Sequence, residues 1–239
     1  MPLLQRKRYL NLNHAGVYAP APAEGGPVAI TQTDHGESAT DSNTYTFTNR
    51  ALGSAQADRR IIVGFVMRVA GTTTTVSSVT VGGVSASAVV TSNNTTGGNQ
   101  TMAALYVADV PTGTTGDVVI TFSATVLRCG ANVWRMVGAA SGTASATGSS
   151  VADPGTANLT IPANGSAVGL AVADFSGSGQ NVVWTNLTSS LVLTYPEGGF
   201  GYAGAMADFV GGGSTTLTGD YTASTSIGTP STVFAAWAP

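Results

Sequence analysis

The sequence predicts an all-β protein: an antiparallel, jelly-roll-like β-sandwich with an extended N-terminal arm. Three observations carry this. Charged residues are 9 % of the 239 positions and hydrophobic ones 43 %, so the polar share falls to Thr, Ser, Asn and Gly. Neutral, Thr-rich sequence of that kind suits strands and tight turns. Short apolar runs recur between turn signals spaced roughly 8–12 residues apart, the rhythm of sandwiches and barrels. No stretch carries a convincing helical period.

The arm comes first, over residues 1–34. "YAPAPAEGGPV" (18–28) holds three prolines and two glycines, which favour extended chain over helix. Ahead of it lies "LLQRKRYL". Arg6, Lys7 and Arg8 are three of the nine basic residues, Lys7 is the sole lysine, and Leu4, Tyr9 and Leu10 flank them. Three charges are few for a phosphate-binding surface, and the interleaved Leu and Tyr want apolar company. The pattern is that of a docking peptide whose apolar residues bury while its charges pair at the rim. Ordering such a segment costs about 1–2 kcal/mol per residue, so the arm is expected to lie against a neighbouring subunit. No apolar run of about 7–15 residues follows "QRKR", as a secretory signal would require. No stretch approaches the roughly 18 apolar residues of a membrane helix. Assembly in a cytoplasm is therefore expected, with no membrane and no nucleic acid as partner.

Residues 35–239 then make the sandwich. "TDHGESATD" (33–41) gathers Asp34, His35, Glu37 and Asp41 among small residues and reads as a solvated linker loop. From Tyr45 onward the signals are β. "RRIIVGFVMRV" (59–69) is apolar on both faces apart from Arg68, as expected of a strand between two covered surfaces. "TVSSVTVGGV" (75–84) alternates and then turns at Gly82-Gly83. "TMAALYVADV" (101–110), "DVVITFS" (117–123) and "LRCGANVWRMV" (127–137) continue the pattern between turns such as "PTGTTG". Later come "SAVGLAVADF" (166–175), "NVVWTNLT" (181–188), "SLVLTYP" (190–196), "FGYAGAMADFV" (200–210), "TTLTGDYT" (215–222) and "TVFAAWA" (232–238).

The later runs repeat the earlier ones. Gly64 aligns with Gly169, Ala108-Asp109 with Ala207-Asp208, and Trp134 with Trp237. Two copies suit one sandwich built from two similar strand sets, about 45–138 and 158–238, rather than a solenoid, which needs at least three.

Catalytic chemistry needs activated groups within hydrogen-bond reach of one another. The only histidines, His14 and His35, lie in the arm and its junction. Cys129 alternates with Leu127, Ala131 and Val133 and reads as a small core residue; one cysteine provides no disulfide framework and no CxxC site. Nine Asp and three Glu form neither a calcium loop nor a zinc helix. The glycine pairs match no phosphate-binding loop and serve turns. An enzyme, a metal or a cofactor is therefore not expected. One exposed contact loop is: "YPEGGFGY" (195–202) brings Tyr195, Phe200 and Tyr202 together with Glu197 beside flexible glycines.

The ordered set "SSVTVGG", "PTGTTG" before a Val-rich strand, and "RCGANVW" resembles β-sandwich virion proteins of tailed bacteriophages and prophages. The likeness covers roughly residues 45–238 and leaves the arm outside. It implies a structural virion component with no catalytic residues to carry over, docked on other virion proteins and on copies of itself. The expected role is capsid decoration, with the arm as the anchor. The alternative is a tail or fibre module binding host-surface glycan through the loop at 195–202; a polysaccharide hydrolase is the remaining reading.

Overall fold

The computed structural model describes residues 26–175, 181–195, 200–208, 213–222 and 227–239. The arm residues Leu4, Arg6, Lys7, Arg8, Tyr9 and Leu10 lie outside them. The first nine strands are β1 (Ala29–Ser38), β2 (Ser42–Ala51), β3 (Arg60–Ala70), β4 (Val76–Val81), β5 (Val84–Ser85), β6 (Ser87–Thr96), β7 (Asn99–Asp109), β8 (Thr115–Val126) and β9 (Arg128–Val137). The next eight are β10 (Ala146–Ser150), β11 (Gly155–Ile161), β12 (Ser166–Phe175), β13 (Asn181–Thr185), β14 (Thr188–Tyr195), β15 (Phe200–Asp208), β16 (Gly213–Thr222) and β17 (Ile227–Trp237). Every pairing among the described strands is antiparallel.

The strands make four sheets. Sheet I has the order β1-β9-β3-β7-β6 and sheet II the order β2-β8-β4-β5. That arrangement, with β1 beside β9 in one sheet and β2 beside β8 in the other, is a jelly roll with one extra edge strand, β6. Sheet III, β10-β17-β12-β15-β14, and sheet IV, β11-β16-β13, repeat it strand for strand, except that among the described residues β5 has no counterpart. The two strand sets do not interleave into one sandwich, as the sequence suggested. Each closes its own, over 29–137 and 146–237, and the two stack through sheets I and III to give the layer order II, I, III, IV.

Hydrophobic periodicity accounts for this stacking. A strand with one apolar face can complete a single sandwich; one apolar on both faces must be covered twice. In β3, Ile61, Val63, Phe65 and Met67 face sheet II while Ile62 and Val66 face sheet III, and all six are fully buried. In β12, Val168, Leu170 and Val172 face sheet I while Ala167 and Ala171 face sheet IV. Outer strands show the one-sided pattern: Tyr45 and Phe47 of β2 point inward between exposed Thr44, Thr46 and Thr48.

Four strands escaped the sequence reading, namely β1, β6, β10 and β11, because "TQTDHGES", "SAVVTSNNTT" and "ATGSS" carry too little apolar alternation and "GTANLTI" has only Leu159 and Ile161 as large apolar residues. The arm boundary at 34 and the expected linker loop over 33–41 are corrected accordingly. Residues 29–38 pair with β9 along their length, because Ile30 enters the layer between the sandwiches and Asp34 is engaged by backbone donors. The expected turns hold: Gly82-Gly83 and Gly97-Gly98 form two-residue hairpin connections with all four φ angles between 56° and 82°.

Register corrects the internal alignment. Arg60 pairs with Asp109 and Met136, and Ser166 pairs with Asp208 and Trp237, so Arg60 corresponds to Ser166. Ala108-Asp109 and Ala207-Asp208 are therefore equivalent, as aligned. Gly64 corresponds to Leu170, not Gly169, and Trp237 to Met136, not Trp134. The two glycines resemble each other for a local reason. A Cβ at Gly64 would come 2.5 Å from the Trp134 ring on the sheet III side, and one at Gly169 would come 2.9 Å from the Trp184 ring on the sheet IV side.

Candidate functional site

The seam between the sandwiches gathers several of the buried polar side chains among the described residues, Ser92, Thr101, Ser166 and Thr229 among them. Its centre is apolar, with Trp134 and Trp237 fully buried among Ile62, Leu105, Leu170 and Val233. Its upper edge is polar. Asp174, at the end of β12, is ion-paired with Arg68 Nε at 3.1 Å, and the Nδ2 of Asn99 donates to its other oxygen at 2.8 Å. Thr101 donates to the carbonyl of Thr229, and Asn94 Nδ2 donates to that of Pro230 at 2.8 Å. Ser92 donates to the carbonyl of Ser150 at 3.0 Å. At the other end, Ser166 donates to the carbonyl of Val28 while Val28 N–H donates to the carbonyl of Asn164 at 2.8 Å. These bonds join residues of β6, β7 and β3, and Val28 just before β1, to the second sandwich, so the two bodies cannot slide without leaving buried polar groups unmet.

A groove opens on one side of the seam. It measures about 310 Å3 and is lined by Ala88, Val89, Val107, Asp109, Gly142 and Ala144, from β6, the end of β7 and the linker before β10. Its walls are mixed, the small apolar side chains standing beside Ser87, Thr143 and Thr147. Its rim carries the Asp109 carboxylate, 77 % exposed and 2.9 Å from Arg60 Nε. Arg60 Nη1 donates to the carbonyl of Ala139 at 2.7 Å, and Trp237 Nε1 to that of Gly142 at 3.0 Å. The linker is thereby fixed against both sandwiches. Asp58 adds a further tie by accepting the Gly138 N–H at 2.8 Å.

That last hydrogen bond is the first cause holding the Asp58 carboxyl below its ordinary value. A depressed carboxyl contributes stability above its unfolded pKa of about 3.9 and loses it as pH falls through the folded value. Asp58→Ala is therefore expected to lower the thermal midpoint at pH 7 and to lower it less near pH 2. Paired calorimetric scans at the two pH values check this. Because Asp58 is largely solvated, the effect is expected to stay below about 1 kcal/mol.

The residues singled out in the sequence fall as follows. His35 is exposed on β1. Asp34 accepts the N–H groups of His35 and Ala51, and Asp41 is ion-paired with Arg128 at 3.5 Å. Among the described residues no three His, Cys, Asp or Glu side chains gather as a metal site would require. Cys129 is fully buried facing sheet II, and burial pushes its thiol far above its ordinary value. All three tryptophans face inward: Trp134 and Trp237 into the seam, Trp184 against Phe234 with rings 6.2 Å apart. Tyr195 pairs with Phe200 to close the β14–β15 hairpin, and Tyr202 lies within β15 opposite Val172 and Leu193, past the turn. Glu197 and the side chains of those three aromatics lie outside what the structure describes.

Sequence reasoning missed the seam. Its one legible trace was a lone Arg68 and a lone Asp174, each at the end of a long apolar run. Fold and seam together define a class: two jelly rolls fused back to back into one block. Comparison of the chain with protein-family models, curated proteins and solved structures finds no match.

Proposed function

We propose that this chain is a structural component of a tailed-bacteriophage virion, a decoration protein of the head seated on neighbouring coat subunits by its N-terminal arm. The observation that carries the reading is the cross-linked seam. It makes two small sandwiches into a single stiff body with its polar, nearly uncharged sheets II and IV outermost. Jelly rolls serve viral capsids as well as lectins and cupins. That is support by analogy of fold, and it agrees with the motif resemblance over residues 45–238. Scarcity of charge also agrees, since contact surfaces shared between proteins are depleted in charge at their centres. Function in this reading is binding repeated many times over, where avidity replaces single-site strength.

The test is particle incorporation. A chain lacking residues 1–20 is expected to keep the thermal midpoint of the full chain and to be lost from purified particles. Quantitative mass spectrometry of particles grown with either version gives the copy number. Normal occupancy of the shortened chain would reject the reading.

A further inference from the structure

We propose that the groove beside β6, with the free edge of that strand, receives residues 3–10 of a second copy of this chain. The inference rests on the assembly reading above and narrows the arm's partner to another copy.

Three observations bear on it. The first is the edge. Among the described residues β6 has one ladder neighbour, β7, so its other edge presents unpaired backbone groups. At the opposite edge of sheet I, β1 carries Asp34, His35 and Glu37 and a register break at Thr33, devices that discourage strand addition. β6, "SAVVTSNNTT", has no charge and no proline; beyond an irregularity at Val89 its ladder runs regularly from Val90 to Thr96. Such an edge is a template for an incoming extended peptide.

The second is the groove at the Val89 end of that edge. Its 310 Å3 would take one tyrosine side chain, the ring against Ala88, Val89, Val107 and Ala144 and the hydroxyl among Ser87, Thr143 and Thr147, and the exposed Asp109 carboxylate stands at its rim. Arg60 occupies one side of that carboxylate; the solvent side is open to a second cation.

The third is the occupant. "LLQRKRYL" is apolar and basic by turns. In extended chain Lys7 and Tyr9 fall on the same side, about 6.6 Å apart. A Tyr9 ring in the groove therefore leaves the Lys7 ammonium within reach of Asp109. Between Leu10 and Gly26, the first described residue, the chain can span up to about 55 Å, enough to leave its own subunit. Arm to groove is a head-to-tail contact, so it builds rings or rows of copies.

The experiment uses the full chain in sedimentation velocity across the micromolar range. Concentration-dependent association is expected. Ala88→Lys and Tyr9→Ala should each weaken it at least tenfold with the thermal midpoint unchanged, Ala88 being exposed. Lys7→Glu and Asp109→Lys should each weaken it alone, and an equimolar mixture of those two variants should restore it. A wild-type chain that stays monomeric throughout, or association indifferent to Ala88→Lys, overturns the proposal. Monomers that still need residues 1–20 for particle incorporation would place the arm on a different coat protein, which sinks this inference and keeps the assembly reading. Association that responds to these variants while particle occupancy does not would do the reverse.

Discussion

Arg59→Ala is expected to lower stability by about 3–5 kcal/mol, the upper end for a single substitution. Arg59 is 1 % exposed, immediately before β3. Its guanidinium donates from Nε to the carbonyl of Val110 at 2.6 Å, from Nη1 to Gly53 at 2.7 Å, and from Nη2 to Thr112 at 2.7 Å and Gly113 at 2.8 Å. The side chain thus ties the loop after β2 to the loop after β7, with carbonyls rather than a carboxylate around it. Burial is the first cause depressing its pKa and the nearby Arg135 the second, but guanidinium remains charged in any case. Truncation would strand four carbonyls, each costing about 1–3 kcal/mol where water cannot replace the donor. Arg59→Lys is expected to recover less than half, because an ammonium cannot reach acceptors spread around a planar fork. Thermal unfolding should show a midpoint lowered by roughly 10 °C for the alanine variant. A loss under 1 kcal/mol would mean that water enters both loops and the side chain holds neither.

Trp237→Ala is expected to cost about 4 kcal/mol and to change how the protein unfolds. Trp237 is fully buried near the C-terminal end of β17, packed in the seam with its indole N–H on the Gly142 carbonyl. Removing it opens a large cavity, and large-to-small changes of this kind cost about 3–5 kcal/mol. The cavity lies between two bodies that each have their own second core, so the loss falls on what couples them. The intact chain is expected to unfold in one calorimetric transition, and the variant in two. Trp184→Ala offers the contrast: its ring packs on Phe234 within the second sandwich, so that variant should weaken the protein while keeping a single transition. Two transitions in the wild type would show the seam to be a loose contact.

Both residues show what could be seen in advance. Arg59 and Arg60 stand side by side in the sequence and look alike, yet one is enclosed by carbonyls and the other reaches the groove to meet Asp109. Trp237 looked like the counterpart of Trp134 because tryptophan is rare and eye-catching; register shows it occupies the place of Met136. The candidate contact residues of the arm and of the 195–202 turn were legible only as composition, and the structure's own candidate, the groove, draws on three segments no motif joins.

Strand character, the glycine turns and the double burial of 59–69 were settled within the sequence itself; that 166–175 is covered on both faces as well came from the structure. Periodicity of apolar residues and positive-φ turn chemistry act over a few neighbouring positions, so they can be read without knowing the fold. How many sandwiches form, which glycine lies under which tryptophan, and that Arg68 meets Asp174 were decided only by tertiary structure. Those outcomes depend on which face of one strand is presented to another about a hundred residues away, and a one-residue change of register reverses every face.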